Sequence, residues 1–325
     1  MFDINTVLQK LNPSLTILED FRKASRAKTK NNLLYLFGAL IFSGIILTAL
    51  SILISTPINL LYVLLVAATV VALAIIGYQH YKNQNEYSRH YKSTVIPVLL
   101  DLIDPNLNYY PDQGIGINTF KNSELFSTDI DIYESEDMIQ GYYGQTELML
   151  SEIKATDKDR DSEGNTKETT IFDGVLLIAD FHKEFNSRTF LLPDFGESNF
   201  GNIGRFFQKI GKRSGTELLQ LEDSEFEKEF AAYSSNQVES RYILSTSMMR
   251  NILDLKAKFD GAKIKLAFKN SSVYIAIPSS KKFFEPDTKI QATDTTQIHT
   301  LLDELNIFLQ IVDELNLNTR IWSKK

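Results

Sequence analysis

The residues best placed for ligand chemistry lie in two stretches. In the first, Asp157, Asp159, Asp161 and Glu168 fall at positions 1, 3, 5 and 12 of a twelve-residue window, the carboxylate spacing of an EF-hand calcium loop. Gly164 stands at position 8 of that window, where the motif needs its glycine at 6, and strand-like runs flank it in place of helices. The window therefore reads as a solvated hairpin loop, and no metal centre is expected. In the second stretch, FGNIGRFFQKIGKRSG (200–215), Arg205, Lys209, Lys212 and Arg213 stand without an acid among them, while Ile203, Phe206, Phe207 and Ile210 keep helical spacing. Arg205, Phe206, Phe207, Lys209, Lys212 and Arg213 form the candidate contact set, for a membrane interface or for a protein or phosphate ligand. The plainer alternative is a helix packed by its phenylalanines with its charges in water. A P-loop is excluded, because Phe206 stands where glycine is needed and Arg213 follows Gly211 and Lys212.

Catalytic constellations are scarce. The four histidines are His80, His90, His182 and His299, and the sequence holds no HExxH, no GxSxG and no paired-histidine metal spacing. Zero cysteines exclude thiolate nucleophiles, disulfides and thiolate-held zinc or iron. Glu222, Asp223 and Glu225 stand where carboxylates ordinarily face a helix N-terminus. No catalytic residue and no cofactor are expected from these patterns.

Charge is divided unevenly. Residues 1–99 carry nine Lys/Arg against four Asp/Glu, net +5, and residues 100–325 carry 25 against 37, net −12. An acidic main part argues against nucleic acid as its partner, since phosphate binding draws on clustered basic side chains. The basic part suits contact with anionic lipid.

Between residues 31 and 81 there is no Asp, Glu, Lys or Arg. The apolar runs 33–54 and 58–78 are each long enough, at about 1.5 Å per helical residue, to span a hydrocarbon core of roughly 30 Å. The Ser-Thr-Pro-Ile-Asn stretch between them needs water or headgroups for its backbone. The pattern predicts a transmembrane helical hairpin. Arg22, Lys23, Arg26, Lys28 and Lys30 precede it, and Lys82, Arg89 and Lys92 follow. Both termini are thus expected on the cytoplasmic side. Residues 1–30 form an amphipathic cytoplasmic segment with two short helices divided at Asn12 and Pro13, and residues 82–103 form a juxtamembrane helix disturbed at Pro97.

Residues 104–325 are expected to fold as an acidic cytoplasmic domain. Strand-like runs cover 142–155, 169–181, 188–192 and 217–221, and 263–268 and 272–277 flank a turn at Asn270 and Ser271. IFDGVLLIAD (171–180) is rich in branched apolar residues, which fits a strand covered on both faces. Short helices are expected at 122–126, after Ser224 and after a cap at Ser245 or Thr246. Ile298, Leu301, Leu305, Phe308, Val312 and Leu315 form a helical stripe, either a core face or an oligomer seam. The fold class is α+β with a mainly antiparallel sheet.

TIFDGVLLIADFHKEF (170–185) and EFEKEFAAYSSNQVESRYILSTSMMRNIL (225–253), behind a two-helix anchor, resemble bacterial domain-of-unknown-function family 3137. The resemblance implies a bacterial inner-membrane protein with a cytoplasmic domain, and the frequent encoding of such members near LemA-type membrane proteins hints at an envelope partner. The expected function is a membrane-anchored interaction module that tethers a protein partner, the alternative being a membrane-anchored hydrolase with an unrecognised carboxylate site.

Overall fold

The computed structural model describes residues 4–53, 59–126, 129–160, 166–181, 184–193 and 215–318. The basic set at 205–213, the turn at 54–58, Asp161 and His182 lie outside the described residues. The chain divides into two compact units, one of residues 1–95 with 285–299 and one of residues 96–284 with 300–325.

The first unit is built on α1 (Ile4–Leu53) and most of α2 (Asn59–Ile103). The expected division of the N-terminal segment into two helices is corrected here, for α1 runs unbroken through Pro13. A proline inside a helix removes one hydrogen bond and crowds the preceding turn. Burial of Leu11, Leu15 and Leu18 on one stripe offsets that loss. The α2 helix likewise continues past Pro97.

Contacts between α1 and α2 run in antiparallel order. Phe21 meets His90 edge to face, Thr29 Oγ1 lies 3.3 Å from His80 Nδ1, and Asn32 donates to Gln79 at 3.4 Å. Beyond these contacts the surface changes character. Leu34, Tyr35, Phe37, Ile41, Phe42 and Ile45 on α1 are exposed, as are Val63, Val66, Val70, Val71, Ile75 and Tyr78 on α2. Among the described residues one stretch, Leu8–Ile46, is long and apolar enough to cross a membrane, and its apolar window is not buried in the protein.

Residues 285–299 complete this unit through buried polar contacts. Arg22 donates to Glu19 through Nε at 2.9 Å and Nη2 at 2.7 Å, Glu19 also accepts from the Ala292 amide at 2.8 Å, and Arg22 Nη1 reaches the Thr288 carbonyl at 3.3 Å. These bonds hold the Glu19 carboxyl down at about 2, the Arg22 guanidinium contributing most. Lys92 Nζ and Glu285 form a second bridge at 2.6 Å.

The second unit is a nine-stranded antiparallel sheet, with strands numbered along the chain as β1 (Leu107–Tyr110), β2 (Ile132–Tyr143), β3 (Thr146–Arg160), β4 (Thr166–Asp180), β5 (Thr189–Pro193), β6 (Glu217–Leu219), β7 (Phe230–Ser234), β8 (Lys265–Lys269) and β9 (Ser272–Pro278). Their order is β1-β2-β3-β4-β9-β8-β5-β7-β6. The helices are α3 (Ile117–Asn122), α4 (Ser224–Glu229), α5 (Gln237–Ile243), α6 (Thr246–Lys258) and α7 (Thr295–Glu314). The fold is therefore α+β with an antiparallel sheet and flanking helices.

The long hairpin β3–β4 lies beside β9, the middle strand of the nine, and β4 is buried on both faces over 174–177. Phe172 and Leu176 join a core with Phe120, Leu125, Ile153, Ala155, Phe190 and Leu192, while Val175, Leu177 and Ala179 alternate onto the opposite face. A two-residue turn at Asn270 (φ 51°) and Ser271 (φ 57°) joins β8 to β9, the left-handed pair that matches strand twist. Ser245 accepts from the Met248 amide and caps α6, as its position suggested; Asp223, one residue before the expected Ser224, caps α4. The short helix expected at 122–126 lies earlier, over Ile117–Asn122, because Glu124 adopts φ 55° and ends it. The stripe on α7 is a core face: Ile298, Leu301, Leu305, Phe308, Val312 and Leu315 are all buried.

Candidate functional site

One polar cleft of about 270 Å3 opens on the sheet unit, between β2, β3 and β4 and the loop that follows β9. Its geometry begins with an irregularity in β2. Glu136 faces Glu152, yet the next registered pair is Ile139 with Leu150, so β2 carries a bulge at Asp137 and Met138. Asp137 takes φ 57° and is fully buried. Its carboxylate accepts from the Tyr109 hydroxyl on β1, and its amide donates to the Pro111 carbonyl at 3.2 Å.

Glu152 lies in phase with Leu148 and Leu150 on the buried side of β3, at 9% exposure. Its carboxyl accepts from the Phe283 amide. Burial, reinforced by Asp137 and Glu136, pushes it up to about 8 against the opposing pull of that amide and of Lys282. At neutral pH it is thus an uncharged acid, able to donate a proton or a hydrogen bond into the cleft.

The cleft's other wall is the loop Ser279–Phe284. Lys282 Nζ binds Glu136 at 2.5 Å, Lys281 Nζ binds Glu304 at 2.6 Å, and the Phe284 amide donates to Glu304 at 2.7 Å. The Phe283 ring packs edge to face on Phe308 at 4.8 Å. Gly174 lets β4 pass beneath: at φ 152°, a Cβ there would lie 2.1 Å from the Ile277 carbonyl oxygen.

Carboxylate oxygens of Glu136, Asp137 and Glu152 lie within 4.8 Å of one another, a spacing a hard cation accepts. Each carboxylate is already engaged by a donor of the protein itself, respectively Lys282, Tyr109 and the Phe283 amide.

A second perturbed group is Lys265 on β8. It is in phase with the core residue Ala267, its Nζ lies 4.3 Å from the Phe126 ring centroid, and burial pushes its amine down to about 8. Neither Glu152 nor Lys265 belongs to a sequence motif. The signal that could have found them is a charge in the apolar phase of a strand, next to Leu150 in one case and Ala267 in the other.

Of the residues singled out from the sequence, Asp157 and Asp159 lie on β3 opposite Thr169 and Lys167, and Glu168 pairs with Lys158 at 2.9 Å. These residues belong to the outer end of the hairpin ladder. Of the membrane-flanking cations, Lys23, Arg26, Lys28, Lys30, Lys82 and Arg89 are exposed, whereas Arg22 and Lys92 are buried in ion pairs. The set Arg205, Phe206, Phe207, Lys209, Lys212 and Arg213 falls outside the described residues.

Residues 170–317 match the model of a family described as Protein of unknown function (DUF3137), which bears out the resemblance noted above. No curated protein sequence matches the chain. Among solved structures, the crystal structure of the mycobacterial trehalose monomycolate transport factor A, TtfA, is similar at 9% identity with a TM-score of 0.30, over 62% of this chain and 88% of that one. That likeness is too slight to bear on function.

Proposed function

With residues 170–317 matching the DUF3137 family, we propose that the chain is a membrane-anchored module whose α+β unit holds a protein partner at the cytoplasmic face of a bacterial inner membrane. In this reading α1 and α2 each cross the bilayer once, through 33–54 and 58–78, and both termini are cytoplasmic. The observation that carries it is the exposed apolar side chains between Leu33 and Ile46 on α1 and between Val63 and Tyr81 on α2, bounded by exposed Lys30 and Lys82. Contiguous apolar surface of this extent marks contact with lipid or another protein, and basic flanks retain a span's ends in the cytoplasm. Tethering works by confinement, which raises the effective concentration of whatever binds the exposed unit. A LemA-type membrane protein is the partner the family resemblance suggests, and a second copy of the chain is another.

A second reading is supported by the cleft: a membrane-anchored enzyme, such as a hydrolase, using Glu152 as acid or base. A carboxyl with a shifted proton affinity in a polar cleft is a physical signature of catalysis that ion-pair networks also produce.

Mild solubilisation of the tagged full-length protein from its native membrane, followed by mass spectrometry after crosslinking, separates the two readings. A stoichiometric protein partner supports tethering. Recovery of the chain alone contradicts it and moves the weight to the cleft.

A further inference from the structure

One face of α1 changes chemistry along its length without turning. Lys23, Arg26, Lys30, Leu34, Phe37 and Ile41 follow one another at spacings of three or four residues, which at about 3.6 residues per turn places them within a stripe roughly 60° wide. All six are exposed. Thr29 and Asn32, which meet His80 and Gln79 of α2, lie on the other side of the helix, so the stripe is turned away from α2. Below it, Glu19 is already bound by Arg22 and by the Ala292 amide. Lys23 reaches that carboxylate only at 3.6 Å, and its side chain stays 66% exposed. From Phe21 to Asn85 the sequence has no Asp or Glu.

We propose that this stripe seats an anionic phospholipid, with the phosphate on Arg26 and Lys30, Lys23 reaching the outer part of the headgroup, and an acyl chain along Leu34, Phe37 and Ile41. The inference rests on the reading of α1 as a membrane crossing and deepens it.

The spacing along the helix matches such a ligand. Arg26 and Lys30 are four residues apart, so their Cβ atoms lie about 5–6 Å from one another and one phosphate can bridge both. The guanidinium offers a planar fork of donors for the phosphate oxygens, and the ammonium adds a point charge. Lys30 stands about 6 Å along the axis from Leu34, close to the thickness of roughly 5–7 Å that separates the hydrocarbon from the outer limit of the headgroups. Charge change and solvent change therefore coincide on one exposed face.

The corresponding stripe of α2 is a weaker match. Val71, Ile75, Tyr78, Lys82 and Arg89 share a face at the same spacings, but exposed Glu86 stands on that face between the two cations. Its carboxylate repels a phosphate. General attraction of a basic flank to anionic lipid acts on both helices, whereas a seated headgroup is favoured on α1.

The test is native mass spectrometry of the full-length protein in mild detergent, incubated with equal amounts of phosphatidylglycerol and phosphatidylcholine of matched chains. The wild type should retain phosphatidylglycerol at least about fivefold over phosphatidylcholine, the change that one Lys or Arg near an anionic surface supplies. Arg26→Gln with Lys30→Gln lowers retention to the phosphatidylcholine level. Lys82→Gln with Arg89→Gln removes the same charge and leaves retention within about twofold of the wild type. All four positions are exposed, where substitutions disturb folding little. Equal wild-type retention of the two lipids overturns the proposal, as does a loss of equal size in both double variants. Retention abolished by inorganic phosphate assigns the stripe to a free anion and overturns it too. Alkaline carbonate extraction of the native membrane keeps the two readings apart. A wild-type chain stripped from the membrane overturns the anchoring reading and this proposal together, while a chain that stays without lipid preference overturns this proposal alone.

Discussion

The Glu152 carboxyl on β3 accepts a hydrogen bond from the Phe283 amide while standing one registered pair from the β2 bulge at Asp137. This relationship ties the one strongly perturbed acid of the cleft to the loop that walls it.

Global stability should carry the same signature. Glu152 has its folded value raised from 4.5 to about 8, so the folded state keeps a proton that the unfolded chain has lost. Stability therefore falls as pH rises from about 4.5 and levels above about 8. The full shift bounds the loss at roughly 5 kcal/mol, of which solvation of the cleft leaves a part. Denaturant melts at pH 5 and 8.5 should show the Glu152→Gln variant nearly level between the two and the wild type weaker at the higher pH. An equal decline in both proteins would contradict the assignment.

Gly174→Ala should be among the most damaging small substitutions in β4. A methyl there would meet the Ile277 carbonyl oxygen at 2.1 Å, on a backbone at φ 152°. The adjoining β4–β9 ladder must shift to relieve it. A loss of about 2 kcal/mol or more follows, measurable by the same melts. A Tm within a degree of the wild type would show that the strand has room to yield.

In the first unit, Glu19→Gln removes the anion that binds Arg22 and weakens the bond to the Ala292 amide. Breaking one half of a buried pair costs about 3–5 kcal/mol, because the remaining charge is left uncompensated. Faster exchange of the Ala292 amide, with the β3–β4 amides unchanged, is expected. In the wild type the same pair contributes stability that is present above about pH 4.5 and lost as pH falls towards 2, since Glu19 is held low.

The β8–β9 turn offers a gain. Ser271 adopts φ 57° after Asn270 at φ 51°, a geometry that prefers Asn-Gly. Ser271→Gly should raise stability by up to about 1 kcal/mol, removing Cβ strain that exceeds the extra entropy of an unfolded glycine. A lower melting temperature would mean that the serine side chain contributes more than the strain costs.

Much of the fold was legible where hydrophobic period and turn chemistry agreed. The β4 run, the Asn270-Ser271 turn, the Ser245 cap and the α7 stripe each had one dominant local signal. The strands β1, β2 and β7 were missed for identifiable reasons. Leu107–Tyr110 hides between prolines, Ile132–Tyr143 is interrupted by the acidic bulge, and Phe230–Ser234 follows α4 without a glycine or proline between them. The two apolar runs were legible because charge is absent over fifty residues, a pattern that needs no tertiary information. The cleft was not, because it depends on β9 returning beside β4 and carrying its following loop to Glu152. Glu152 stands in an apolar phase of its strand, yet nothing local marks the Phe283 amide, 131 residues away.

Anchoring by α1 and α2 as two membrane crossings, with both termini in the cytoplasm, is tested most directly by thiol labelling. The chain has no cysteine, so Asn59→Cys supplies a unique thiol at the start of α2. In intact cells with the outer envelope permeabilised, a membrane-impermeant maleimide should label the Asn59→Cys protein without breach of the inner membrane, while a Lys28→Cys protein should label only after breach. Labelling of position 59 only after the inner membrane is opened would contradict the account.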